Sequence, residues 1–178
     1  IRAGECTLTI PVTVQGVPFS DVAYDAWYYD AVRFVYDNAL MNGMSETVFA
    51  PQRTTNRAMI VQILYNREGK PESAYTGVFD DVADGQWYTA AVEWAAANGI
   101  VNGVGNGRFD PLGEITREQM AIILHNYASW VGYDTSVRGD VSLFSDADSI
   151  HNWAAEEMAW AVGIGLLQGN NNALTPLG

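Results

Sequence analysis

The feature that most constrains this 178-residue chain is that it repeats itself at a fixed step. Phe19-Ser20-Asp21-Val22 returns as Phe79-Asp80-Asp81-Val82 and as Phe144-Ser145-Asp146-Ala147. Trp27 returns as Trp87 and Trp153. Asn42-Gly43 returns as Asn102-Gly103 and, more loosely, as Gln168-Gly169. Phe49-Ala50-Pro51 returns as Phe109-Asp110-Pro111 and as Leu174-Thr175-Pro176, and Arg57 returns as Arg117. Between the first two copies these landmarks move by 60 residues, and between the second and third by 65 or 66. Chance similarity of short motifs does not keep one offset. A unit of this length cannot bury its apolar face alone, so the copies are expected to pack on one another.

Within a copy the coarse structure is readable. Asp25 and Asp84 stand before a first helix, an acidic position that suits orphan N–H groups and the helix dipole. That helix is expected over about Trp27–Ala39, Trp87–Asn98 and Asn152–Val162, with Ala31, Val32, Val35 and Ala39 at helical spacing. Gly99 and Gly163 are natural terminators. A glycine-rich loop follows and ends in the Phe-x-Pro signal, since proline cannot continue a helix. A second helix then begins. Thr116-Arg117-Glu118-Gln119 reads as a capping box, and Asn56 is the cap in the first copy, where Met59 stands in place of the Gln. The expected fold is all-α, three helix-loop-helix modules over 19–71, 79–133 and 144–178. Residues 1–18 lie outside the repeat. There Thr7–Val14 alternates as an edge β-strand does, the tail of a preceding domain or a linker. The third arginine would fall past Gly178, so the third module is expected to lack its last helix, which a further chain segment would complete. A start at Ile1 without Met reads as a mature or excised fragment.

Composition narrows function. Nine basic against 21 acidic residues give a net charge of −12, which argues against a nucleic-acid partner. No run of 18 apolar residues exists, so no membrane insertion is expected. One cysteine (Cys6) and two histidines (His125, His151) cannot build a zinc or iron–sulfur site, and one cysteine cannot form an intrachain disulfide. Of the basic residues only Lys70 is a lysine. The arginines can hold a carboxylate in a fork even in an acidic protein.

Taken together, Phe-x-Asp-Val, Trp, helix, Gly-rich loop, Phe-x-Pro and Thr-Arg-x-Gln resemble the S-layer homology (SLH) domain over about residues 19–178. The resemblance implies a pseudo-threefold helical unit. It would anchor secreted surface proteins, without a covalent bond, to the secondary cell-wall polysaccharide of Gram-positive and related bacteria. The implied ligand is an anionic polymer with pyruvyl ketals on N-acetylmannosamine, bound in grooves between modules. No cofactor, metal or catalytic residue is implied. Carried onto this sequence, the ligand contacts would be Arg57 and Arg117, with Asp21, Asp81, Asp146, Trp27, Trp87, Trp153, Gly43 and Gly103 as further site residues. The first copy, Asn56-Arg57-Ala58-Met59, departs from the motif but keeps the arginine.

The chemistry of the residues is compatible. Arginine pairs with a carboxylate through two charge-assisted bonds. In the first turn of a helix it would place that anion near free N–H groups, and an aromatic ring packs on a sugar face. Each residue also has a plainer reading. The tryptophans can be core, the aspartates can fix a turn, the arginines can join modules through buried ion pairs, and the glycines can serve backbone geometry. His125 reads as surface or packed. Two other functions stay open at this point: an assembly module of a surface layer that binds no glycan, and part of a cell-surface glycoside hydrolase.

Overall fold

The computed structural model describes residues 16–178. The strand expected over Thr7–Val14 and the cysteine at position 6 lie outside the described residues. Among the described residues five α-helices form: α1 (Tyr29–Asp37), α2 (Arg57–Arg67), α3 (Thr89–Ala97), α4 (Arg117–Val131) and α5 (Ala155–Gly163). Short 3-10 turns cover Val141–Leu143, Ala147–Ser149 and Asn152–Ala154. Among the described residues there is no β-strand, only isolated bridges, so the all-α expectation holds. None of these helices is long and apolar enough to cross a membrane.

The second helices start where the sequence says they start. Asn56 Oδ1 accepts from the Met59 N–H at 2.9 Å. Thr116 and Gln119 form the reciprocal capping box, which satisfies two otherwise orphaned donors. The first helices start later than expected and by another device. Their N-caps are Tyr28 and Tyr88, with no side-chain cap, so Asp25 and Asp84 do not cap them. In the second copy Thr89 ties the preceding turn instead, donating to the Ala83 carbonyl at 2.7 Å and accepting from the Gln86 N–H at 3.0 Å. The third copy begins with a 3-10 turn before α5. Its helix runs through Gly163, and the left-handed position passes to Gly165 (φ +73°). Gly163 serves packing, for a Cβ there would lie 2.6 Å from the Gly139 nitrogen.

The described residues fall into two compact units, one ending at Gln52 and one running from Arg53 to Gly178. In the first, α1 packs Tyr29 and Val32 on Phe19 and Val22, with Phe49 against them. In the second, helices pair across the boundaries between sequence copies: α2 with α3, and α4 with α5. One core joins Val61, Leu64 and Tyr65 of α2 to Val92, Trp94 and Ala95 of α3, with Phe109 and Ile123. The other joins Ala121 and Ala128 of α4 to Met158, Trp160 and Ala161 of α5, with Leu167 and Leu174. Leu124 of α4 touches both cores. Fully buried side chains such as Val61, Met158 and Leu174 are sites where truncation costs about 1–5 kcal/mol.

Candidate functional site

Three aspartates clip the same loop in each copy. Asp81 Oδ1 and Oδ2 accept from the N–H groups of Phe109 and Asp110 at 2.8 and 2.9 Å. Asp21 does the same for Phe49 and Ala50 at 2.9 and 2.7 Å. Asp146 does so for Leu174 and Thr175 at 2.8 and 2.7 Å. Each clip spans its copy from the Phe-x-Asp segment to the Phe-x-Pro segment. In all three the clipped middle residue has positive φ: Ala50 (+62°), Asp110 (+57°) and Thr175 (+48°). A non-glycine residue in that region is strained, and the aspartate offsets the strain. All three carboxyls are held below their ordinary range. The Phe49 N–H is the largest cause at Asp21 and the Leu174 N–H at Asp146. At Asp81 burial works the other way, but the Phe109 and Asp110 N–H groups and Arg108 outweigh it. These carboxylates are committed to the backbone.

The loop glycines are fixed by close approach. Gly103 has φ +75°, and a Cβ there would lie 2.4 Å from the Arg108 carbonyl oxygen and 2.7 Å from Phe79 Cε1. Gly43 has the same φ, with Phe19 Cε1 and the Val48 oxygen both at 2.7 Å. The Phe at the head of each copy thus packs under the glycine of its loop.

The two arginines stand differently. Arg57 is 5% exposed. Its Nε donates to the Phe109 carbonyl at 2.8 Å and its Nη1 to Gln119 Oε1 at 3.3 Å, with the guanidinium 4.8 Å from the Phe109 ring centroid. Burial lowers its pKa, and the charges of Asp110 and Asp81 offset part of that. Arginine nevertheless stays charged. Among the described residues no carboxylate comes within ion-pair distance of Arg57, so a buried ion pair between modules is not its role. Arg117 donates through Nη2 to the Gln168 carbonyl at 3.2 Å, and its buried Nε has no partner. The backbone N–H groups beside both arginines are occupied. Arg57 and Ala58 donate to the Gly113 and Pro111 carbonyls, and Arg117 and Glu118 donate to those of Gly178 and Pro176. The Phe-x-Pro loop of one copy therefore caps the second helix of the copy before it. An anion at these arginines meets side chains, not free helix N–H groups.

Arg57 opens onto a groove of about 520 Å³. Its walls are Ile100–Val104 from the loop after α3, Gln119, Ile122, Ile123 and Asn126 from α4, Trp153 from the 3-10 turn before α5, and Glu157 in the first turn of α5. All three sequence copies therefore contribute to one groove. Of the residues singled out from sequence, Arg57, Gly103 and Trp153 meet here. Asp81 is linked to Arg57 through Phe109, from whose N–H it accepts and whose carbonyl accepts from Arg57 Nε. Trp27, Trp87 and Trp153 are 91%, 55% and 53% exposed, which overturns the core reading of these rings. Sequence reasoning missed Asn102, Asn126 and Glu157, whose polarity on apolar-patterned segments was the available signal. His125 is packed, edge-on to Trp160 at 5.1 Å. Among the described residues no three His, Cys, Asp or Glu side chains converge as a metal site requires.

The S-layer homology domain model matches residues 18–58, 78–121 and 143–176. This chain belongs to the S-layer homology domain family. The three matches coincide with the three copies, and each contains one aspartate clip. Relatives of the SLH chain include the exoglucanase XynX of Acetivibrio thermocellus, 32% identical over 94% of this chain and 15% of that protein. The amylopullulanase of Thermoanaerobacterium thermosulfurigenes is 34% identical over 90% of the chain and 8% of that protein. The S-layer protein sap of Bacillus anthracis is 30% identical over 93% and 20%. The chain thus spans a fifth or less of these relatives' length. What enzymes and an S-layer protein share with it is the non-catalytic SLH region, a module that anchors proteins at the cell wall.

Proposed function

We propose that this SLH chain holds a larger secreted protein on the bacterial cell wall by binding an anionic, pyruvylated secondary cell-wall polysaccharide in the Arg57 groove. The observation that carries this reading is a buried guanidinium with no carboxylate partner, facing a groove with an exposed tryptophan on its wall. A buried cation whose nearest carboxylates, Asp110 and Asp81, only partly offset its burial gains from a further anion in contact with it. A pyruvyl-ketal carboxylate supplies that charge at a point on an otherwise neutral sugar. Trp153 offers a face for the ring, and Asn102, Asn126 and Glu157 offer partners for hydroxyl and acetamido groups. Gly103, on one wall, lets its loop close over Phe79 and the Arg108 carbonyl and so holds that wall in place. Arg117, whose Nε is unpaired, is assigned a second contact. The module itself performs no reaction, and any catalysis belongs to other parts of the larger protein. Its place of work is outside the cell.

Calorimetric titration of the chain with pyruvylated wall-polysaccharide fragments tests this. Binding is expected to need the ketal and to fall at least tenfold in R57K, which keeps the charge but loses the fork. R117A is expected to weaken binding less. Equal binding of depyruvylated polymer overturns the assigned ligand. No binding of either polymer by folded protein overturns the glycan reading and leaves assembly as the function.

A further inference from the structure

The boundary between the second and third copies carries a residue pair that the other described boundary lacks. Glu118, in the first turn of α4, is 2% exposed. Its Oε1 lies 2.8 Å from His151 Nδ1, and its Oε2 accepts from the His151 backbone N–H at 3.2 Å. These are its side-chain partners among the described residues. At the equivalent positions one copy earlier stand Ala58 and Gly85, which have no functional groups to exchange. Ala58 is fully buried, so packing a second helix at such a boundary does not require an acid. Burying a carboxylate there adds a desolvation cost that Ala58 avoids.

What the pair provides is read from the tryptophans. Trp27 and Trp87 are each followed by a tyrosine that supports the indole edge-on, at 5.4 Å and 80° for Tyr28 and 5.1 Å and 87° for Tyr88. In the third copy that tyrosine is replaced by Ala154. Trp153 is supported instead by the His151 ring, stacked on it at 5.2 Å and 17°. His151 is itself half exposed, 52% at the side chain, and has little else to fix it. The buried Glu118 holds it at two points, ring and backbone. Trp153 lines the groove with Arg57.

We propose that Glu118 is a positioning residue for the Arg57 groove, acting through His151 to set where Trp153 stands on its wall. The proposal deepens the glycan-binding reading and rests on it for the effect on affinity. The placement of Trp153 is judged without any ligand. His151 Nδ1 and Glu118 Oε1, 2.8 Å apart, share one hydrogen bond. That bond fixes the plane of the ring and hence of the indole stacked on it.

The test uses the full chain with 5-fluorotryptophan incorporated, the Trp153 resonance being assigned by its loss in W153F. It is paired with calorimetry against the pyruvyl ketal of methyl N-acetylmannosaminide. E118A and H151A are expected to move the Trp153 resonance and to weaken binding about three- to tenfold, the size of a contact coupling. E118Q keeps an acceptor for His151 and is expected to restore most of both signals. In a W153A background E118A should cost nothing further. An unmoved Trp153 resonance in folded E118A or H151A overturns the proposal, as do E118A and W153A losses that simply multiply. Should E118A fail to fold, H151A at the half-exposed position carries the same test. If the wild type ignores the ketal while the resonance responds, the glycan reading fails and the positioning role stands.

Discussion

Arg57 bonds the Phe109 carbonyl at 2.8 Å through Nε and lies over the ring of that same residue, 4.8 Å from its centroid. One side chain of the first sequence copy thus grips both the backbone and the ring of the second. R57K is expected to lose this grip, because an ammonium cannot bond the carbonyl and lie flat on the ring together. The expected cost is about 1–3 kcal/mol, that of a buried hydrogen bond to a charged group. Urea unfolding followed at the tryptophans checks it, and an unchanged midpoint contradicts the assigned grip.

Gly103 and Gly105 separate two reasons for glycine. Both have positive φ, +75° and +102°. A Cβ at Gly103 meets the Arg108 carbonyl at 2.4 Å, whereas at Gly105 nothing lies within 4 Å. G105A is expected to cost about 1–2 kcal/mol from backbone strain alone. G103A adds overpacking of about 1–3 kcal/mol. Thermal unfolding of the two variants side by side measures the difference, and equal costs refute the packing argument.

The aspartate clips make the fold sensitive to acid. The carboxyls of Asp21, Asp81 and Asp146 all titrate below the ordinary aspartate value in the folded chain. Glu93 also titrates low. Burial alone would raise it, but the Thr76 hydroxyl at 2.6 Å and the Gly77 N–H at 2.9 Å outweigh that. A depressed folded value means that the unfolded chain binds protons first. The stabilisation is therefore complete above about pH 4–4.5 and is lost as pH falls through the folded values. Urea midpoints are expected to be flat from pH 7 to about pH 5 and to drop steeply below pH 4. D81N should be less stable than wild type at pH 6, with the gap narrowing at pH 3. A gap that persists unchanged at low pH shows that the charge of Asp81 is not what holds the loop.

How much of this was legible in the sequence depends on how local the physics is. The capping box of Thr116 and Gln119 and the Asn56 cap lie within four residues of chain, and both were readable. The repeat marked Arg57, Gly103 and Trp153 as landmarks, each in a different slot of a different copy, but could not say that they meet, because the groove takes one residue set from each copy. The acceptors for the N–H groups of Arg57, Ala58, Arg117 and Glu118 are the carbonyls of Gly113, Pro111, Gly178 and Pro176, more than 50 residues downstream, and no cap signal records that. The pairing of α2 with α3 across a copy boundary is hidden for the same reason: periodicity shows an apolar face, not its neighbour. Glu118 did leave a trace. It stands where the first copy has Ala58, a polar residue at a buried-helix position, and such departures from a repeat mark where one copy has taken a task of its own.

Trp153 offers the clearest separation of binding from folding. Its ring is 53% exposed and lies on the groove wall, while the α4–α5 core is filled by Met158, Trp160, Ala161, Leu167 and Leu174. Removing an exposed ring leaves no cavity, so W153A is expected to change stability by less than about 1 kcal/mol. Removing Trp160, which is buried in that core, should cost about 3–5 kcal/mol. Yet W153A is expected to weaken wall-polysaccharide binding about tenfold, the scale of losing one aromatic–sugar contact, of order 1.4 kcal/mol. Measuring unfolding and calorimetric affinity on the same preparations decides it. A W153A protein that binds as well as wild type removes the indole from the ligand site. One that unfolds like W160A returns Trp153 to the core.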